Sequence, residues 1–247
     1  MLSFAGTTQP FSRVARLDRA RWRAIPAVVG RNILRKDLMT ITPSTPAPDP
    51  DEAAAQAAAI LDDLRNAGYV VASLHDLRES GTRYQDAVPV LASWLPRVTD
   101  FGLHESLLRA LTVPFAKQAA LQPVIDDFTR TYTGSEAIDI ELRWVAGNAL
   151  EVLWQDTAFD QLRDLCVATR WGRARQMVVL GMGKSKHLDA ADTLIGLLDD
   201  DDVRLHAVQA LRKLRPAAAR EPLARLRDHH DGVMRKEIDK TLAKLAD

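Results

Sequence analysis

The feature that most restricts the fold of this 247-residue chain is a twelve-residue pattern that occurs four times in its second half. Each copy has arginine at its second position, an apolar residue three positions later and another apolar residue four positions beyond that. Positions spaced in this way lie on one face of an α-helix, so each copy predicts an amphipathic helix. The copies are residues 142–153, 174–185, 203–214 and 234–245, which recur at intervals of about 30 residues.

The two apolar positions of each copy are expected to face a core. An earlier, imperfect copy at residues 103–113 keeps Leu107 and Leu111 but has His104 in place of the arginine. The apolar positions of the four full copies are Ala146 and Leu150, Val178 and Met182, Ala207 and Leu211, and Ile238 and Leu242.

A second set of predicted helices precedes these copies, so the chain is read as helix pairs. Three of these first helices contain a proline, which we expect close to the helix start, where the missing N–H has no intrahelical acceptor to lose. The prolines are Pro89, Pro123 and Pro222, and the first helices are predicted at 86–95, 118–130, 158–168, 189–198 and 217–227.

A single helix pair cannot bury its own apolar faces, so consecutive pairs are expected to stack and share a core. Upstream, residues 51–67 predict a helix ended by Gly68, and residues 75–79 predict a short helical turn. The predicted fold class is therefore all-α. We divide the chain into a disordered basic arm with a Pro-rich lead-in (1–50), an N-terminal helical cap (51–83) and an array of about five helix pairs (84–247).

The repeated pattern resembles HEAT repeats, in particular the short HEAT-like repeats of the phycobilisome-lyase type. The resemblance covers about residues 84–245 and rests on second helices such as VRLHAVQALRKL and on the proline-containing first-helix segments AVPVL, LQPVI and REPLA. It implies a right-handed α–α superhelix in which arginines pair with aspartates for structural reasons. It does not define a function, because repeats of this kind serve many unrelated roles.

The charge of the chain is balanced only in total, with 33 basic and 33 acidic residues. Residues 1–38 hold eight basic and two acidic residues, whereas residues 39–140 hold seven basic and fourteen acidic residues. The basic arm has three interpretations: a nucleic-acid or membrane-surface arm, a targeting presequence, or sequence upstream of a true start at Met39. The neutral total does not favour general binding to nucleic acid, which needs a basic excess.

Composition favours a helical protein and argues against a disulfide-stapled one. Aromatic residues make up 6% of a chain that is 47% hydrophobic, a profile that favours helices over strands. The one cysteine, Cys166, cannot form an intrachain disulfide and is expected to be a small buried side chain. We expect no membrane helix, no metal and no cofactor, and we predict a cytoplasmic monomer.

The arginines of the repeat form a regular row, Arg143, Arg175, Arg204 and Arg235. We expect each to lie in the first turn of its helix, beside acidic turn residues. There it would bond carboxylates and carbonyls and connect neighbouring repeats. The alternative interpretation is a track for an anionic ligand.

A second candidate site is the basic and aromatic segment that contains Arg170, Trp171, Arg173 and Arg175. Basic residues mixed with an aromatic one are typical of phosphate or nucleic-acid binding. The acidic turn at residues 199–202 lies one repeat further on and is expected to neutralise these arginines, which is the competing interpretation.

Trp144 follows Arg143 at a position held by Gln176, Leu205 and Lys236 in the other copies. Because the residue type varies there, the position need not be in the core, although core packing of Trp144 is the alternative. We therefore predict a protein-binding inner, concave surface that includes Arg109, Trp144 and Asn148.

The predicted function is a non-catalytic scaffold or adaptor that binds another protein through the concave face of the array. One alternative is a DNA-binding enzyme, by analogy with the HEAT-like alkylpurine DNA glycosylases, whose cleft uses residue types found here at Trp144, Trp154, Asp156 and Trp171. The other is a bilin lyase-type chromophore partner, which only the repeat subtype suggests.

Overall fold

The structure is a computed structural model that describes residues 50–131 and 136–246. All regular elements in these two ranges are helical, and no strand occurs in them, so the predicted all-α class is confirmed there. The predicted arm and lead-in lie outside the described residues except for Pro50, which begins the first helix. The interpretations of the basic arm therefore remain predictions.

Twelve α-helices are present in the described ranges. They are α1 (Pro50–Asn66), α2 (Leu74–Glu79), α3 (Val88–Trp94), α4 (Phe101–Leu111), α5 (Lys117–Thr129), α6 (Glu136–Leu153), α7 (Phe159–Val167), α8 (Gln176–Met182), α9 (Ala190–Gly196), α10 (Arg204–Leu214), α11 (Arg220–Asp228) and α12 (Gly232–Ala246). Each predicted helix is found, with bounds that differ by a few residues.

Local sequence explains how several helices begin and end. The side chain of Ser73 accepts a hydrogen bond from the backbone N–H of Asp76 and caps α2, and Asp100 caps α4 through the N–H of Leu103. Gly68 follows α1 with a φ of 92°, a left-handed conformation that glycine adopts without strain. Short 3-10 turns lead directly into α3, α5, α7 and α11, a recurring element that the sequence patterns did not reveal.

The helices pack as two sets. From α3 onward each odd-numbered helix packs against the even-numbered helix that follows it, and the even-numbered helices α2, α4, α6, α8, α10 and α12 contact one another in series. Helix α1 packs against α3 and α2 against α4, so the two helices of the predicted cap pack onto the first helix pair. We call the continuous row of even-numbered helices the second-helix layer.

The core lies where the repeat pattern predicts it. Ala146, Val178, Ala207 and Ile238 are completely buried, as are Leu150, Met182 and Leu211. Leu242 is only partly buried, because no further helix pair follows α12 in the described chain to cover it. Two glycines allow close packing: a Cβ on Gly147 would lie 2.8 Å from the Ala174 carbonyl oxygen, and one on Gly183 would lie 2.8 Å from the backbone of Ala210.

Two details of the predicted helices are wrong. Pro123 lies inside α5 rather than near its start, because α5 already begins at Lys117. Arg143 does not lie in the first turn of its helix, because α6 begins at Glu136, two turns earlier, and Arg175 lies in a 3-10 segment just before α8. Among the residues that the structure describes, no helix combines the length and hydrophobicity needed to cross a bilayer.

Candidate functional site

The exposed side of α6 carries the largest apolar side chain on the second-helix layer, Trp144. Trp144 is 42% exposed, and Ile140, one turn earlier, is also 42% exposed. Positions 140, 144 and 148 share one face of the helix, and Glu141 lies beside Trp144 at i,i+3 spacing. We call Ile140, Glu141, Trp144 and Asn148, together with Glu105 and Arg109 on the contacting helix α4, the Trp144 patch.

Charges in this patch are not balanced. The Arg109 guanidinium donates to Glu105 one turn earlier on α4, with an Nε–Oε1 distance of 2.9 Å. Glu141 makes no hydrogen bond or salt bridge to a described residue. Burial raises the pKa of Glu141, the negative charge of Glu105 raises it further, and Arg109 acts in the opposite direction. Two carboxylates and one guanidinium therefore leave the Trp144 patch with a net negative charge.

The three residues predicted to face a binding partner are placed as follows. Arg109 and Trp144 lie on the contacting helices α4 and α6, and Asn148 donates from Nδ2 to the carbonyl oxygen of Trp144 at 2.9 Å. Trp144 is not a core residue, and the equivalent positions Gln176 and Lys236 are not buried either. The sequence left surface exposure and core packing both open at this position; core packing of Trp144 is wrong, and its binding role stays a prediction.

Arg175 shows most clearly what the arginine row does. It is completely buried, and its guanidinium donates to the Gly172 carbonyl at 3.0 Å, to the Cys166 carbonyl at 2.8 Å and to Asp200 Oδ2 at 2.6 Å. These bonds connect α7, the 3-10 segment before α8 and the acidic turn before α10. Arg175 is therefore a structural residue and is removed from the anionic-ligand patch.

The other arginines of the row differ from one another. Arg143 donates to the Arg130 carbonyl at 2.9 Å, lies 3.7 Å from Asp139 and covers the Trp171 ring at 4.7 Å. Arg204 donates to the Leu198 carbonyl at 2.6 Å and pairs with Asp201 in its own repeat. Arg235 is exposed and makes no side-chain bond within the described chain. The row is regular in sequence and irregular in contacts, which does not favour a continuous ligand track.

The rest of the anionic-ligand patch is only partly neutralised. Arg170 and Arg173 are exposed and pair with no acidic residue of the described chain, so the expected neutralisation by the turn at 199–202 applies to Arg175 and not to them. Trp171 is partly buried between the guanidinium groups of Arg143 and Arg170, each 4.7 Å from its ring centroid. Ligand binding by Arg170, Trp171 and Arg173 stays a prediction.

Trp154 and Asp156 belong to a structural turn. Trp154 is buried and donates from Nε1 to Asp156 at 3.2 Å, and the same carboxylate accepts from the Ser185 hydroxyl at 2.7 Å and the Lys186 backbone N–H at 2.8 Å. Burial acts to raise the pKa of Asp156, but these three hydrogen bonds outweigh it and hold the pKa below its usual range. The turn connects the start of α7 with the end of α8.

The sequence patterns missed a buried polar pair. His104, at the position where the other copies have arginine, lies with its Nε2 at 2.9 Å and 3.0 Å from the two carboxylate oxygens of Asp127. Both side chains are almost completely buried. The only sequence signal was that His104 replaces the arginine of the other copies. This replacement indicates that the side chain at this position has a polar partner, but it does not identify Asp127 as that partner.

Two further titratable groups are perturbed by burial. Cys166 is completely buried, as expected, and this burial raises the pKa of its thiol and keeps it protonated at neutral pH. Burial and the nearby Arg173 lower the pKa of His206 to about 4. In residues 50–131 and 136–246, no three or more histidine, cysteine or acidic residues are grouped so that they could hold a metal ion.

The described chain thus belongs to the class of all-helical proteins in which successive helix pairs pack against their neighbours. No family model, no curated protein and no solved structure matched this chain in the comparisons made with each.

Proposed function

We propose that this protein is a non-catalytic scaffold that binds another protein through the exposed side of its second-helix layer. In this proposal the helix pairs are HEAT-like repeats, they stack into a right-handed superhelix, and the second-helix layer is its concave face. The protein acts in the cytoplasm as a monomer until it meets its partner.

The observation that carries the proposal is the pairing of Trp144 with Ile140 on one exposed face of α6. Isolated exposed apolar residues are normal, and Val70, Leu188 and Val233 are of this kind. A tryptophan next to a second large apolar side chain has the composition of the centre of a protein–protein interface, and the charged groups beside both match its polar rim. The neighbouring even-numbered helices extend this surface on both sides.

The contacts do not favour the two alternatives. A glycosylase-like cleft would need Trp154, Asp156 and Trp171 to be accessible to DNA. Trp154 is buried, the Asp156 carboxylate is occupied by three hydrogen bonds, and Trp171 is covered by two guanidinium groups. No observation in the described chain favours a bilin partner over any other.

Photo-crosslinking in cells tests the proposal. A benzoylphenylalanine at position 140 lies in the Trp144 patch and leaves the tryptophan intact, and the same residue at Leu188, which is 92% exposed, is the matched control. We expect position 140 to give a discrete crosslinked product with one protein and position 188 to give only background. Equal background at both positions, with normal expression and folding of both variants, would overturn the proposal.

A further inference from the structure

The Trp144 patch has an excess of negative charge next to an open aromatic face. Arg109 forms a salt bridge with Glu105 and neutralises it. Glu141 lies near enough to both residues for their charges to affect its pKa, and it makes no ion pair with a described residue. Glu141 precedes Trp144 by three residues, so the carboxylate and the indole ring are neighbours on the surface of α6.

This combination matches one class of chemical group. A cation over the face of a tryptophan within about 6 Å of the ring centroid is attracted by the π electrons, and tryptophan is the best of the aromatic residues for this interaction. A cation at that place would also lie beside Glu141 and relieve its repulsion by Glu105. An acidic group there would meet two carboxylates and the negative face of the ring, which disfavours it.

We propose that the partner presents an arginine or lysine side chain that stacks on Trp144 and pairs with Glu141, with an adjacent apolar residue covering Ile140. This inference rests on the proposed scaffold function and defines the chemistry of its partner. Arginine suits the site better than lysine, because its planar guanidinium can stack on the indole and donate to the carboxylate at the same time.

The α12 end of the second-helix layer differs in charge from the Trp144 patch, and this contrast supports the assignment. There, Arg212 and Lys240 share Glu237, and Lys244 lies with them around a shallow surface depression. Basic groups predominate at that end, on α10 and α12, whereas acidic and aromatic groups predominate further along the layer, on α4 and α6. A basic partner segment is therefore directed to the Trp144 patch and away from α12.

Binding of a cation has a consequence for protonation. The pKa of Glu141 is raised in the free protein, and a bound positive charge favours the ionised carboxylate. The pKa of Glu141 must therefore fall when the basic segment binds, and by linkage the affinity must rise as the pH increases through the pKa of Glu141 in the free protein.

The test compares three synthetic peptides, Ac-GLRGLRG-NH2 and its counterparts with glutamate or glutamine in place of arginine, with the full chain as receptor. Nuclear magnetic resonance follows the Trp144 indole signal, assigned with Trp144→Phe, and the titration of the Glu141 side-chain carboxyl. We expect only the arginine peptide to shift the indole signal to saturation and to lower the Glu141 pKa. Glu141→Gln should weaken this binding roughly twofold to fivefold, since it removes the charge pair and leaves the cation–π contact with Trp144 in place.

The matched control is Glu79→Gln, which removes an exposed carboxylate from α2 and should leave binding unchanged. Equal shifts with the arginine and glutamate peptides, or no shift with any of them, would overturn the basic-partner assignment. The in-cell crosslink at position 140 separates this result from failure of the proposed function. A crosslinked partner whose yield does not change in the Glu141→Gln background refutes the inference and leaves the scaffold standing, whereas the absence of any crosslink refutes the scaffold itself.

Discussion

Replacement of Arg175 by methionine should cause one of the largest losses of stability available from a single change in this chain. The guanidinium is completely buried and donates to Gly172, Cys166 and Asp200. Methionine fills similar space but removes the guanidinium that donates to Asp200 Oδ2 and to the buried Cys166 carbonyl, while Asp200 Oδ1 keeps the N–H of Asp202. Breaking a buried pair by removing one partner costs about 3–5 kcal/mol. Because Asp200 keeps 21% of its side chain exposed, we expect a value at the lower end, about 3 kcal/mol.

Urea unfolding followed by circular dichroism at 222 nm measures this loss. Arrays of repeats can unfold in stages, so the first transition is the one to compare. Arg235→Met is the matched control, because Arg235 belongs to the same arginine row, is exposed and makes no side-chain bond within the described chain, and it should change stability by about 0.5 kcal/mol or less. If the free energy of unfolding of the Arg175→Met protein lies within about 1 kcal/mol of that of the original protein, the buried pair does not connect the repeats. The structural interpretation of the arginine row is then wrong.

Three further changes test the packing and the titratable groups. Leu211→Asp places an unpaired charge at a completely buried position of α10 and should cost about 4 kcal/mol or more in urea unfolding; unchanged stability would place Leu211 outside the core. Cys166 should not react with a thiol reagent in the native protein and should react once urea unfolds it; rapid native labelling would contradict its burial. His206 is neutral in the folded state because its pKa of about 4 lies below the value of about 6.5 expected when unfolded, so its stabilising effect is complete above pH 6.5 and is lost as the pH falls toward 4. His206→Leu should flatten the pH dependence of the unfolding midpoint in that window, and an unchanged profile would show that His206 is not the group responsible.

The buried positions of the second helices could be predicted because the same pattern of apolar residues occurs in several copies, each in an equivalent environment. Ala146, Val178 and Ala207 occupy one register position, and all three are completely buried. Periodicity alone assigns this position to the core, whatever the exact bounds of the helices. The bounds were less predictable, because the 3-10 turns that begin several first helices share only a final alanine, a residue too common in this chain to mark a helix start.

Side-chain partners could not be predicted from the same pattern. Arg143 and Arg175 are equivalent in the repeat, yet Arg143 bonds a carbonyl and covers Trp171, while Arg175 is buried against Asp200. The difference arises because α6 begins two turns before Arg143, whereas α8 begins just after Arg175. An arginine reaches whatever acceptor the local backbone places within its length, and that backbone is not part of the repeated sequence. The Asp156 turn has the same origin, because its partner Ser185 lies 29 residues away.

The variation of residue type at the Trp144 position left exposure and core packing both open, and it gave no information on the charge of its surroundings. The residue type can differ between repeats at a position that no neighbouring helix covers. At this position α6 has Trp144, whereas α12 has Lys236. The charge imbalance depends instead on the packing of α4 against α6, which brings Glu105 and Arg109 near Glu141. The stacked helix pairs therefore form the core from the apolar positions that all repeats have in common. The candidate binding surface consists instead of exposed positions whose residue type differs between neighbouring repeats. A partner that recognises this surface must contact at least two adjacent repeats at the same time. Substitutions of surface residues on α4 should therefore weaken binding of the partner to α6.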